Sequence, residues 1–367
     1  MTDTSSDVRP QVLKFHHLIR PKPEETMPRT TSYLSCGALL LALLATPGAA
    51  QQRDVRVNNS NWTHTSVDNG HRLEIRATGD VELNDEGDWV ESLPSGGRLV
   101  VEEEGRGPGR RAEFRPEGSG VRVLYFVDGR ERAMDAEGQA WVRRTLGHAA
   151  REGGLGAERR VQRIRARRGV GGVLEEIGRI RSDVGRRQYF GALFRGDPMR
   201  DDEYARTLRE VGRIRSDVEK RLVLTGAMGA ARGGRLASLL EATGTIDSDV
   251  ETRLVLSRVA AGHTLDDAAA RQAFFAALDG MESDVERRLV LSSLVTRETP
   301  SRAVLLGALR STQRIDSDVE KRLVLMRVPV ARLEDDDVSR AFMDVTRTIR
   351  SDVERSMVLR HLARSGR

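Results

Sequence analysis

Carboxylates are the side chains whose spacing could do chemistry in this chain. The tripeptide Ser-Asp-Val begins at Ser182, Ser216, Ser248, Ser283, Ser317 and Ser351, at intervals of 34, 32, 35, 34 and 34 residues. Four copies run on to a Glu and an Arg: Asp217, Glu219 and Arg221; Asp249, Glu251 and Arg253; Asp284, Glu286 and Arg288; Asp318, Glu320 and Arg322. The first copy keeps Asp183, and the last keeps Asp352 and Glu354. A row of paired acids could hold metal ions or a basic ligand, or act as general acid and base. Acid catalysis needs one carboxyl whose pKa is raised by burial. Carboxylates at exposed helix starts have theirs lowered instead.

A structural role fits the same residues more closely. Ser is a strong N-cap, worth about 0.5–2 kcal/mol. A Glu three residues later can reach back to the cap's own amide and complete a capping box. The acids oppose the helix dipole, and Asp217 to Arg221 is the favourable order for an ion pair along one helix. Val218 and Leu222 share a face, which Val223 and Leu224 widen. The ends deviate, with Gly185 in place of the Glu and Ser356 in place of the Arg. All the Ser, Asp, Glu and Arg positions above are therefore read as capping and pairing groups, within a helix or between neighbouring repeats.

No other catalytic or metal pattern stands out. His64, His71, His148, His263 and His361 are scattered without ligand spacing. There is no Gly-x-Ser-x-Gly elbow, no His-Glu-x-x-His and no phosphate-binding glycine loop. The sequence thus gives no catalytic residue, no metal and no cofactor, and the chain is read as a non-enzyme. A hydrolase with an unrecognised cleft is the reading that a structure would have to revive.

Each Ser-Asp-Val must be positioned by a repeating unit. Ile180, Ile214, Ile246, Met281, Ile315 and Ile349 stand two residues before each Ser and close a second helical pattern. The clearest such pattern is 265–280, with Thr264 as its cap; at 299–315, Thr299 is the cap and Pro300 the first helical residue. A period near 34 residues signals stacked helix pairs that bury one another's apolar faces. Residues 169–367 resemble a HEAT- or armadillo-type solenoid of about six pairs. The period matches tetratricopeptide length, but the Trp, Leu-Gly and Tyr of that signature are absent.

Ahead of the repeats, 51–134 reads as antiparallel β: Leu73, Ile75 and Ala77, Leu99 and Val101, and Ala112 and Phe114 alternate with polar residues. Val121 to Val127 reads as a strand buried on both faces. Asp128-Gly129 is a hairpin turn. A sheet or sandwich of five to seven strands follows. The piece Arg72–Asp80 resembles β domains of bacterial envelope adhesins. Residues 135–168 read as connecting helices, with Asp135 as a cap, 151–156 as a turn, and an Arg-rich segment at Glu158–Arg168. That segment could meet an acidic partner or lipid phosphate, or be a solvated face. The run from Phe126 through Trp141 into the first repeat resembles exported regions of β-lactam-responsive membrane metallopeptidases, without their peptidase core, and secreted bacterial proteins of unknown function. What that resemblance implies is a regulatory or binding module.

Residues 27–50 read as a cleaved signal peptide: Arg29, the apolar run 37–45, then Thr46-Pro47-Gly48-Ala49-Ala50. Residues 1–26 read as disordered or as a gene-model extension. Cys36, the one cysteine, falls in the leader, so the exported part has no thiol chemistry. A bacterial periplasmic or secreted location follows, with no permanent span after cleavage. The 60 basic and 55 acidic residues leave a net charge of +5, no nucleic-acid signature, and aromatics at 4 % require an aliphatic core. After residue 50 the only lysines are Lys220 and Lys321. The expected fold is α+β, a β domain followed by a solenoid. The expected function is binding of a protein partner along the solenoid, in envelope sensing; the alternative is an envelope structural or adhesion protein acting through the β domain.

Overall fold

The computed structural model describes residues 52–58, 61–68, 70–105, 107–297 and 300–364, with backbone alone for 52–58 and Asp68. The leader, residues 1–26, Cys36 and Thr299 lie outside the described residues. The described chain is an α+β protein, an antiparallel sheet followed by thirteen α-helices.

The strands are β1 (Gln52–Asn58), β2 (Asn61–Asp68), β3 (His71–Thr78), β4 (Glu82–Leu83), β5 (Val90–Ser92), β6 (Arg98–Glu104), β7 (Arg110–Glu117), β8 (Gly120–Val127) and β9 (Arg130–Arg132). Seven form one sheet in the order β1-β2-β3-β6-β7-β8-β9, and β4 pairs with β5 in the β3–β6 connection. The register Ile75↔Val101, Val101↔Ala112, Ala112↔Tyr125 puts one apolar set on one face. That face packs under α1 (Ala136–His148), against Trp141, Val142 and Leu146, with Val81, Leu83 and Val90 closing the side. Asp135 caps α1, its Oδ1 accepting from the Gly138 amide at 2.7 Å. Asp128 and Gly129 both take positive φ, 49° and 74°, the twist-matched turn between β8 and β9.

A sandwich does not form. The outer face carries Arg72, Glu74, Arg76, Glu102 and Arg98 in ion pairs rather than a second sheet. For the same reason β8 is not buried on both faces: Tyr125 is buried, while Val121, Val123, Leu124, Phe126 and Val127 are half-buried. Its neighbour β9 is a three-residue edge strand.

The remaining helices are α2 (Ala157–Arg179), α3 (Asp183–Arg195), α4 (Asp201–Val211), α5 (Asp217–Ala227), α6 (Gly234–Thr243), α7 (Asp249–Gly262), α8 (Ala268–Asp279), α9 (Asp284–Val295), α10 (Arg302–Gln313), α11 (Asp318–Leu325), α12 (Asp336–Arg347) and α13 (Asp352–Arg364). They stack as six pairs. α3, α5, α7, α9, α11 and α13, each begun by a Ser-Asp-Val copy, neighbour one another in one layer, and α2, α4, α6, α8, α10 and α12 neighbour one another in the other. One continuous aliphatic core runs from Ala157 to Val358, including the Ile or Met before every motif.

Three local expectations are corrected. Asp267, not Thr264, caps α8, accepting from Ala270 N at 2.8 Å, because a carboxylate sits one turn later and competes better. Helix α10 starts at Arg302 behind Ser301, so Pro300 precedes the cap rather than opening the helix. The first half of the turn expected at 151–156 is instead a π-helical continuation of α1, Ala149–Gly153, and the chain turns at 154–156, with Gly154 at φ 77° and Gly156 at φ 65°. As the boundary at 168/169 implied, α2 is broken at Gly169 (φ 64°, ψ −171°), which separates its Arg-rich half from the half that joins the stack.

The Arg-rich half keeps Arg159, Arg167 and Arg168 exposed, but its arginines are paired within the chain rather than left as an open anion site. Arg160 donates to the Asp85 carbonyl and Glu176, Arg163 to the Leu83 and Asn84 carbonyls, and Arg167 to Asp85. Arg165 donates to the carbonyls of Asp197 and Pro198, and Arg159 pairs with Asp80. These side chains fasten the acidic β4–β5 region to the first helix pair.

Candidate functional site

The repeated motif is positioned by its own helix start. Ser182, Ser216, Ser248, Ser283, Ser317 and Ser351 each accept from the amide three residues on, at 3.1–3.4 Å. The reciprocal half of a capping box is absent, because each Ser amide is already given to the preceding repeat. Ser216 N donates to Asp183 Oδ2 at 3.0 Å, Ser248 to Asp217 at 2.8 Å, Ser283 to Asp249 at 2.6 Å, Ser317 to Asp284 at 2.8 Å and Ser351 to Asp318 at 2.8 Å. For the first copy Glu152, in the π-helical turn, takes the Asp's part: Ser182 N donates to it at 2.7 Å.

Glu and Arg form a second rail. Arg187 pairs with Glu219, Arg221 with Glu251, Arg253 with Glu286, Arg288 with Glu320 at 2.6 Å, and Arg322 with Glu354. The expected pair along one helix, Asp217 with Arg221, does not form. Arg points towards the next repeat and Glu towards the previous one, so each reaches a partner on the neighbouring helix instead. Both end deviations follow. The first Glu would have no Arg before it, and Gly185 stands there; a Cβ at that site would lie 2.7 Å from the carbonyls of Arg151 and Glu152. No described repeat offers a Glu after the last copy, and Ser356 replaces the Arg. Asp352 turns to Arg355.

The position after the Glu carries a cation, buried at Lys220, Arg287 and Lys321 and half-buried at Arg186 and Arg355, that the sequence reading missed. Lys220 Nζ donates to the Thr245 carbonyl at 2.5 Å, Lys321 to Thr348 at 3.4 Å, Arg287 to Arg314 at 2.8 Å, and Arg186 and Arg355 to the carbonyls of Ile180 and Ile349. Each sits under the connection between the paired helices. Its signal was in the sequence: the only two lysines after residue 50 occupy this one motif position. Thr252 fills it in the third copy.

At Asp318 electrostatics oppose acid chemistry. The Ser351 amide, with that of Arg350, holds the Asp318 carboxyl below its ordinary value. In the sheet, Glu113 is 2 % exposed and receives Arg98, Arg111 and Arg115, of which Arg98 does most to lower its pKa to about 2. His64 and His148 do meet, ring centroids 6.4 Å apart, and His71 pairs with Glu103 at 2.8 Å. Among the described residues no group of three His, Cys, Asp or Glu is arranged to hold a metal ion, and no helix is long and apolar enough to cross a membrane. One cleft, about 610 Å³ between β2–β3 and α2–α3, is lined by Asn61, Trp62, Asp80, Gln162, Gln188 and Arg195. Its charges are already engaged, Asp80 with Arg159 and Arg195 with Glu158.

What the rails leave free is apolar. Val218 and Leu222, expected on the packed face, are 46 % and 39 % exposed, while Val223 and Leu224 are buried. The same holds for Val250 and Leu254, Val285, Val319, and Val353 with Met357, and Leu289 and Leu323 are half-buried. With Val at the third motif position and Leu or Met four residues on, each pair falls on the side opposite the cation. Among the described residues eleven large apolar side chains are exposed, and ten lie on or at the end of these helices, Val67 being the exception. No family model, curated protein or solved structure matches the chain.

Proposed function

We propose that this is a non-enzymatic, exported interaction module that recognises a protein along the helices begun by Ser-Asp-Val. One observation carries the reading: Val and Leu recur in every one of the middle repeats at positions that contribute little to the core. Recurrence of Ser, Asp, Glu and Arg is accounted for by the rails. Recurrence of an exposed Val–Leu ladder is not, and contiguous exposed apolar surface marks interaction sites. Stacked helix pairs present such surfaces as extended faces. Export rests on the leader-like run at 27–50, and a role in envelope sensing on that location.

The test is capture from the native envelope by the wild type and by a Val250→Glu, Val285→Glu variant. A protein retained by the wild type and lost by a variant of unchanged circular dichroism and Tm supports the ladder. Equal retention by both moves recognition elsewhere, and loss only with substitutions on the outer sheet face favours the adhesion reading.

A further inference from the structure

The ladder has a neighbour on its own face. Past the Val–Leu pair, α5, α7 and α9 continue with small residues on the same side: Thr225 and Gly226, Ser257 and Ala261, Ser293 and Thr296. A Cβ on Gly226 would meet nothing within 4 Å, so this shelf is open. Arg258 is the charged side chain that stands on it, exposed. The N-terminal half of each helix therefore carries a ridge and the C-terminal half a shelf.

Such a face is complementary to itself. A two-fold axis along the stack turns the partner's helices antiparallel and keeps the rungs in the same order. It sets each copy's ridge on the other's shelf, the two-fold arrangement commonest among oligomers. Rung spacings match because they are the same spacings. We infer that the ladder is closed by a second copy of this chain. The inference rests on the reading above that the ladder is a recognition face. Nine side chains on this face, exposed by 36–60 %, together with the half-buried Leu289 and Leu323, present on the order of 600 Å² of apolar surface, at the top of the range for a monomer. With the shelf the face reaches roughly the 800 Å² per partner of a stable interface. The flanking Arg–Glu rails are already neutralised within each copy, so on the α5, α7 and α9 rungs the charge that the face brings to its partner is that of Arg258.

Light scattering on the size-fractionated full chain tests this, one copy being 40.7 kDa. A two-copy mass at tens of micromolar is expected. Leu254→Glu on the ridge and Gly226→Arg on the shelf are each expected to weaken the dimer at least tenfold, with secondary structure and Tm unchanged. A one-copy mass up to about 100 µM, or a two-copy mass that both variants keep, overturns the inference. A one-copy protein whose ladder variant still loses a captured envelope protein likewise overturns self-association, while leaving the recognition reading standing with a different occupant.

Discussion

At the scale of single residues, the motif divides into groups that hold the stack and groups that face solvent. An Asp that accepts the next repeat's Ser amide leaves that amide orphaned if removed, a loss of about 1–3 kcal/mol for a buried donor. The Glu113 cluster works in the same way in the sheet. Its folded pKa, about 2, lies below the ordinary 4.5, so its contribution is complete above 4.5 and is lost as pH falls from there through about 2. Urea unfolding of wild type and Glu113→Gln at pH 7, 4 and 2.5 is expected to show a stability gap that narrows on acidification; a constant gap contradicts the assignment. The sequence displayed Ser as the cap without ambiguity, because capping is local. It did not display the partners of Asp, Glu and Arg. A pair at i,i+4 and a pair between repeats use the same residue types, and only the neighbouring helix decides between them.

At the scale of an element, every motif copy but the third carries a cation that reaches a connection between paired helices, and Thr252 stands in its place in the third. Thr252→Lys is expected to reach the Gly280 carbonyl, the counterpart of Thr245, and to stabilise the protein by about 1 kcal/mol, a modest charged hydrogen bond. Gly185→Glu restores the motif of the other copies, yet is expected to destabilise by more than 2 kcal/mol, since its Cβ meets two carbonyls at 2.7 Å. Thermal unfolding of the two variants separates repeat logic from neighbourhood: both rising in Tm would contradict the account of the first repeat. The helix pairs and their apolar Ile were legible from period and pattern. The caps of α8 and α10 were less so, because Thr264, Asp267, Thr299 and Ser301 are all competent caps within one turn of one another. The break at Gly169 falls at the boundary read between connecting helices and repeats, where Gly169, Gly171 and Gly172 cluster, whereas the π-helical geometry of 149–153 left no local pattern.

At the scale of the whole molecule, the β domain acts as the first partner of a quasi-one-dimensional stack. Glu152 supplies the missing Asp, and the Arg-rich half of α2 ties the two parts together. A truncation at residue 169 would cut at the kink and strip the first repeat of its support, so surface substitutions are the cleaner way to apportion binding. The layout of sheet followed by solenoid was readable from strand alternation and a 34-residue period. The exposed ladder was not, since Val and Leu at helical spacing read as core unless the opposite face is known to be filled. The most direct measurement compares two adjacent residues of one motif by equilibrium urea unfolding: Asp249→Ala and Val250→Ser. Loss of about 1–3 kcal/mol is expected for the first, whose carboxylate holds the amides of Glu282 and Ser283. A change within about 0.5 kcal/mol is expected for the second, as at ordinary surface sites. A large loss at Val250 with none at Asp249 would contradict the division of the motif into rail and ladder.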